Sequence, residues 1–136
     1  MPEGTPETRV AIAQQFLVVV GHRDIDQGIE FLAPHATYRV PGTHALAGTF
    51  SGRDEIMRHL ITLFERTGGT LDVFKWEDWL VGEYHIAALV QVHAQGHGAS
   101  FTTRLIFLLG FDQSDKVSEI TILFEDPNAA ERFFGP

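Results

Sequence analysis

The spacing of the apolar residues changes near residue 70, and this change constrains the fold more than any other feature of the sequence. Before it, apolar residues recur every three to four positions, as they do on one face of an α-helix. From Thr70 to Glu125 the pattern becomes strand-like, with breaks near Gly82-Glu83, Gly96-Gly98 and Asp112-Lys116. The sequence therefore predicts helices followed by a four-stranded antiparallel meander.

Two helices are predicted near the start of the chain. Thr5 is placed as an N-cap, the following proline and glutamate suit a first turn, and Gly21 is placed to end the helix. A shorter second helix is expected from Asp24 or Asp26 through Leu32, where a proline soon follows.

A short strand and a third helix follow. The strand is predicted at Thr37–Val40, and the loop from Gly42 to Gly52 is long enough for a functional role. Ser51 with Asp54 resembles a capping box, and a helical apolar face then continues until Gly68-Gly69.

The meander contains one strand that is apolar on both faces. Its four segments are predicted at Leu71–Val81, His85–Gln95, Ala99–Phe111 and Lys116–Phe124. In the third segment, Leu105, Phe107 and Leu109 alternate with Ile106 and Leu108 rather than with polar residues. Since the helices cover only one face, we expect a second copy of the chain to cover the other in a homodimer.

Two tryptophans lie three residues apart in the first strand of the meander. Side chains three apart in a regular strand point to opposite faces. Trp76 and Trp79 are therefore expected on opposite faces of the sheet.

Length and charge limit the classes of partner. The 136 residues suit one domain spanning 1–136, and the formal charge of −8 disfavours nucleic acid and anionic membrane surfaces as partners. With no cysteine, the chain has no disulfide, thiolate metal site or cysteine nucleophile. Since the start, Met1-Pro2-Glu3-Gly4, lacks the pattern of a targeting segment, we expect a cytoplasmic protein.

Four segments follow one another along the chain: Arg23–Asp26, Phe31–Tyr38, Ala47–Ile56 and Phe111–Ile120. In their residues, order and spacing they resemble motifs of one superfamily, which contains nuclear transport factor 2, ketosteroid isomerase and the SnoaL-type polyketide cyclases. The resemblance implies an α+β fold, a cone-shaped α+β barrel in which three N-terminal helices pack in a curved, mostly antiparallel sheet.

The resemblance also allows one known chemistry to be tested. Ketosteroid isomerase uses an Asp base, a Tyr hydroxyl and a neutral carboxylic acid. The matching positions here are Val40, Phe16 and Phe107, all apolar. The chain is therefore not expected to be a standard ketosteroid isomerase.

Strand parity and the resemblance predict a mostly apolar pocket inside the cone. The residues expected to bind substrate are Phe16, Val40, Leu60, Phe64, Thr103, Phe107 and Phe124. Arg104 has the opposite parity from Phe107, which favours an interface or surface ion pair.

Three polar residues are the candidates for acid–base chemistry: His44, Tyr38 and Asp126. Each has an alternative interpretation. His44 also fits an exposed loop position without a role, Tyr38 fits a buried ring with its hydroxyl at the rim, and Asp126 fits a turn that caps the C-terminal segment.

Two functions remain open from the sequence. The first is a small-molecule-binding protein that takes a hydrophobic, polyketide- or steroid-like compound, with isomerase, cyclase or dehydratase activity by acid–base chemistry. The second is a non-catalytic dimerisation or protein-interaction module. No cofactor and no metal are expected, although a set such as His35, His44 and Asp126 is not excluded by spacing.

Overall fold

The computed structural model describes residues 5–96 and 98–136. The expectation drawn from Met1-Pro2-Glu3-Gly4 therefore lies outside the described residues. The elements are α1 Pro6–Gly21, α2 Ile25–Ile29, β1 Leu32–Val40, β2 Gly48–Ser51, α3 Arg53–Arg66, β3 Asp72–Val81, β4 His85–Gly96, β5 Ala99–Phe111, β6 Val117–Phe124 and α4 Pro127–Phe134.

The strands form one mixed sheet in the order β2-β1-β6-β5-β4-β3. β1 runs parallel to β6, and the other neighbours are antiparallel. Helix α1 packs on β3 and β4, and α3 packs on β1 and β2. The expected α+β architecture, with helices on one side of a mostly antiparallel sheet, is confirmed.

The first half of the chain departs from the expectations at three points. β1 begins at Leu32 rather than Thr37, because this segment pairs with β6 instead of extending α2. The expected loop contains β2, which pairs with β1. Gly52, not Ser51, is the N-cap of α3; the Ser51 backbone N–H instead donates to Glu55 Oε1 at 3.0 Å.

The four strands of the meander lie within one residue of their predicted bounds. A fourth helix, the eight-residue α4, was not predicted. Asp126 begins this helix, and its carboxylate accepts from the Ala129 backbone N–H at 3.2 Å. The interpretation of Asp126 as a capping residue is thereby confirmed.

The expectation for the two tryptophans was wrong. Trp76 and Trp79 stack with their ring centroids 5.6 Å apart and their planes 7° apart. The register of β3 on β4 shifts between Trp76 and Asp78, which marks a β-bulge. One extra residue reverses the alternation, so both rings lie on the same face.

One charged side chain is buried beneath α1. Arg9 is 2% exposed, its Nε lies 3.0 Å from Asp115 Oδ1, and its guanidinium lies over the Tyr84 ring. It also donates to the Glu83 carbonyl. A buried charge is tolerated when it is paired and hydrogen-bonded, as this one is. Through these contacts Arg9 connects α1 to the turn between β3 and β4 and to the turn between β5 and β6.

Candidate functional site

A cavity of about 120 Å³ lies inside the cone, between the helices and the sheet. Apolar side chains from α1, α3, α4 and five of the six strands make most of its wall. Within the described part of the chain, three lining side chains carry polar atoms, Tyr38, His44 and His59. The cavity is therefore apolar with one small polar region.

Most of the residues predicted to bind substrate line this cavity. These are Phe16, Val40, Leu60, Phe64, Phe107 and Phe124. Thr103 is buried but does not line the cavity, and its hydroxyl donates to the Arg104 carbonyl at 3.1 Å. Asp126 is likewise away from the lining, at the start of α4.

His44 is buried in the connection between β1 and β2, at 5% exposure, and is not the exposed loop residue of the alternative interpretation. Its Nδ1 accepts a hydrogen bond from the Leu46 backbone N–H at 3.2 Å. Burial lowers the pKa of His44, against an opposing effect of Glu131. The neutral ring must then carry its proton on Nε2.

The Nε2 atom of His44 is buried and has no hydrogen-bond partner among residues 5–96 and 98–136. A buried N–H donor without a partner costs about 1–3 kcal/mol, and such groups usually have a structural or ligand-related explanation. The ring is held in place by Phe134 and Phe124, whose centroids lie 5.1 and 6.3 Å away.

Helix α4 closes the cone next to His44. Glu131 accepts from the Thr43 backbone N–H at 2.7 Å and from its hydroxyl at 3.2 Å. The Ala45 N–H donates to the Gly135 carbonyl at 2.7 Å. Phe134, on the same helix, lines the cavity. These contacts fix the His44 loop against α4.

Beside the cavity, the His59 ring stacks on Phe50 and lies at a tilt against Tyr38. The His59 ring lies 4.2 Å from Phe50 and 4.9 Å from Tyr38, centroid to centroid. Burial lowers the pKa of His59 to about 4, with a smaller lowering effect of His44. Burial also raises the pKa of Tyr38. At neutral pH all of these groups are therefore uncharged.

This arrangement offers two kinds of hydrogen-bonding group to a molecule in the cavity. The Tyr38 hydroxyl and the His44 Nε2–H are donors, while neutral His59 keeps one ring nitrogen as an acceptor. Because its Nδ1 is occupied by the Leu46 N–H, His44 acts as a donor rather than as a base.

Sequence reasoning did not select His59. Its position contained a signal, because it lies three residues after Ile56 and next to Leu60, on the buried face of α3. A histidine on the apolar face of a helix that covers a pocket deserved to be a candidate.

Arg104 lies on the opposite face of the sheet. Its guanidinium binds Glu77 at 2.8 and 3.0 Å and Glu125 at 2.9 Å. The hydrogen bonds from Arg104 lower the pKa of Glu77 to about 2. The predicted surface ion pair is confirmed.

Within residues 5–96 and 98–136, no three His, Asp or Glu side chains are grouped so as to hold a metal ion. No described helix combines the length and apolar character needed to span a bilayer.

Comparison with known proteins gives a family and a fold. A family model described as the SnoaL-like domain matches residues 13–120. No curated protein matches the chain. Among solved structures, a protein of unknown function with a cystatin-like fold from Xanthomonas campestris is 20% identical, with a TM-score of 0.87 over 94% of this chain and 98% of that one.

Two similar structures were determined with small molecules. TerC, co-crystallized with polyporic acid, is 15% identical with a TM-score of 0.80 over 93% of this chain and 97% of that one. A Mycobacterium tuberculosis protein in complex with estradiol-17beta-hemisuccinate is 13% identical, with a TM-score of 0.73 over 88% of this chain and 93% of that one. At these identities the likeness is one of fold.

Proposed function

The chain belongs to the SnoaL-like domain family, and we propose that it binds a small hydrophobic molecule inside the cone. The buried part of this ligand is an uncharged ring that carries a carbonyl oxygen. The observation that carries the proposal is His44, which lines an otherwise apolar cavity and whose buried Nε2–H has no hydrogen-bond partner among the described residues. A ligand oxygen would satisfy this donor.

The electrostatics of the cavity support an uncharged ligand group. Tyr38 and both histidines are neutral at pH 7, as the directions of their pKa shifts require. A ligand charge placed among the surrounding phenylalanines would lose its hydration without gaining a counter-ion.

The size of the cavity supports a single ring as the buried group. An apolar cavity of about 150 Å³ holds benzene, and this one measures about 120 Å³. A polycyclic, polyketide- or steroid-like compound needs more room than the cone alone offers, since typical ligand sites measure about 300–1,000 Å³.

The polar groups also support cofactor-independent acid–base chemistry of the isomerase, cyclase or dehydratase type. Tyr38 and His44 would donate to the carbonyl oxygen, and a neutral nitrogen of His59 would accept a proton from the adjacent carbon. The electron pair of the broken C–H bond moves to the oxygen, where the two donors stabilise it. The proton then returns to carbon. In this scheme Asp126 has only its role as N-cap.

Binding is tested with acetophenone and ethylbenzene, which differ mainly by the carbonyl oxygen. Dissociation constants are measured by two-dimensional NMR for the wild type, His44→Leu and the exposed control His35→Leu. Loss of one neutral hydrogen bond should reduce the preference for acetophenone about fivefold in His44→Leu. An unchanged preference, or no binding of either compound to the wild type, would contradict the proposal.

Catalysis is tested by exchange of the acetophenone methyl protons in D₂O. We expect exchange faster than in buffer, reduced in Tyr38→Phe, His44→Leu and His59→Leu but not in His35→Leu. If acetophenone binds and the wild type does not accelerate exchange, the enzymatic part of the proposal is wrong.

The second candidate function is a non-catalytic interaction module. The observation that favours it is the apolar outer surface of the sheet, where Leu80 and Leu123 are 59% and 42% exposed. Absence of acetophenone binding to the wild type in the experiments above is the outcome this candidate predicts.

The same outer surface supports the proposal of a homodimer. Leu89, Ile106 and Leu108 of β4 and β5 lie on the face opposite the helices, together with Leu123 of β6. A second copy burying this face would remove apolar area from water. Light scattering at micromolar concentration tests this, and a mass of 15.2 kDa would contradict it.

A further inference from the structure

A second hollow lies on the outside of the cone and shares part of its wall with the cavity. This outer pocket, of about 250 Å³, is lined by Phe50 together with Glu55, Arg58 and Thr62 of α3, and by Leu46 and His59. The last two residues also line the inner cavity. Leu46 and His59 are therefore the partition between the two spaces.

We propose that the ligand spans this partition, with its ring in the inner cavity and an anionic group in the outer pocket beside Arg58. The inference rests on the proposed function and names the class of ligand, an aromatic or alicyclic carboxylate with a flexible linker.

The volumes support a site in two parts. The volume of the inner cavity alone is below that of typical ligand sites, which begin at about 300 Å³. The volumes of the inner cavity and the outer pocket together exceed this lower limit. A ligand that occupies both spaces would bury its ring and keep its charged end near water.

The partition is held by packing alone. The His59 ring stacks on Phe50 and lies at a tilt against Tyr38, and the described residues show no hydrogen bond of this ring. Leu46 contributes a single aliphatic side chain. Rotation of these two side chains breaks no polar contact, so a linker passes between them without loss of a hydrogen bond.

The charges in the outer pocket favour an anion at Arg58. Arg58 is exposed, and no ion pair of its guanidinium is present among the described residues. The nearby carboxylate of Glu55 is turned toward the Ser51 backbone N–H. The Thr62 hydroxyl donates to the Arg58 carbonyl. Arg58 is thus the free cation of this pocket.

The test uses 3-phenylpropanoate, 5-phenylpentanoate and 7-phenylheptanoate, with 5-phenylpentanamide as the uncharged analogue. Dissociation constants are measured by NMR for the wild type, Arg58→Gln and Arg66→Gln. Arg66 is a matched control, because it is an exposed arginine on the same helix that does not line the outer pocket.

We expect one of the longer carboxylates to bind more tightly than 3-phenylpropanoate and than the amide. Arg58→Gln should weaken binding of that carboxylate about 2- to 5-fold, as for an exposed ion pair, and salt should have the same effect. Acetophenone binding should be unchanged in Arg58→Gln, and Arg66→Gln should behave as the wild type.

Two outcomes would overturn this inference. Equal binding of the amide and the carboxylate would exclude the anionic group, and equal effects of Arg58→Gln and Arg66→Gln would exclude the outer pocket. If these occur while acetophenone still binds, the proposed function stands and only the two-part site is wrong. If no phenyl compound binds, the proposed function itself fails.

Discussion

His59 should make the protein less stable in acid, and His59→Leu should remove this effect. The pKa of the ring is about 4 in the folded protein, against an ordinary value of 6.5. Between these values the unfolded chain takes up a proton that the folded chain does not. The free energy of unfolding therefore has its full value above pH 6.5 and decreases as the pH falls toward 4.

The magnitude follows from the width of this window. Each pH unit within it costs about 1.4 kcal/mol, so the free energy of unfolding should fall by about 3 kcal/mol between pH 6.5 and 4 because of this one group. The groups facing His59 are the buried His44 on the cavity side and Glu55 and Arg58 in the outer pocket. His44 lowers the pKa of His59 only as the smaller effect.

The assay is urea denaturation at pH 7.5, 6.5, 5.5 and 4.5. The wild type, His59→Leu and the exposed control His35→Leu are compared at each pH, because other groups titrate in the same range. The wild type should lose about 2–3 kcal/mol more than His59→Leu between pH 7.5 and 4.5, and His35→Leu should follow the wild type. Parallel curves for the wild type and His59→Leu would refute the reasoning.

Three further perturbations have defined outcomes. Arg9→Met should lower the free energy of unfolding by about 3 kcal/mol, because it leaves Asp115 without its buried partner; a loss below about 1 kcal/mol in urea denaturation would contradict this. Gly42→Ala should cost about 1 kcal/mol or more, since φ is +127° and a Cβ would lie 2.7 Å from Glu131 Oε1; a melting temperature equal to that of the wild type would count against it. Leu123→Glu should shift the light-scattering mass toward the monomer, and a mass that does not change would remove this residue from the proposed interface.

The bounds of the meander strands could be predicted from sequence because breaks that contain glycine or a run of polar residues separate the strand-like segments. The start of β1 could not, because the residues from Leu32 to Thr37 are drawn into the sheet by pairing with β6, a tertiary contact that local spacing does not encode. The bulge after Trp76 could not be predicted from sequence either, because no residue type marks it.

The site was predicted unevenly for the same reason. The resemblance to ketosteroid isomerase is enough to place Val40 and Phe107 in the cavity wall. The environment of His44 depends on α4, an element that was not predicted, and on contacts between Glu131 and the loop before β2. Side chains that meet from distant segments are set by the tertiary fold, and the chain order alone does not reveal them.

The most direct test of the account is a crystal structure of the protein with acetophenone bound. We predict the phenyl ring inside the cone and the carbonyl oxygen within about 3 Å of both His44 Nε2 and the Tyr38 hydroxyl, the distance of an ordinary hydrogen bond. Acetophenone bound on the outer face of the sheet, or in the cone with its oxygen turned away from both donors, would contradict the central claim.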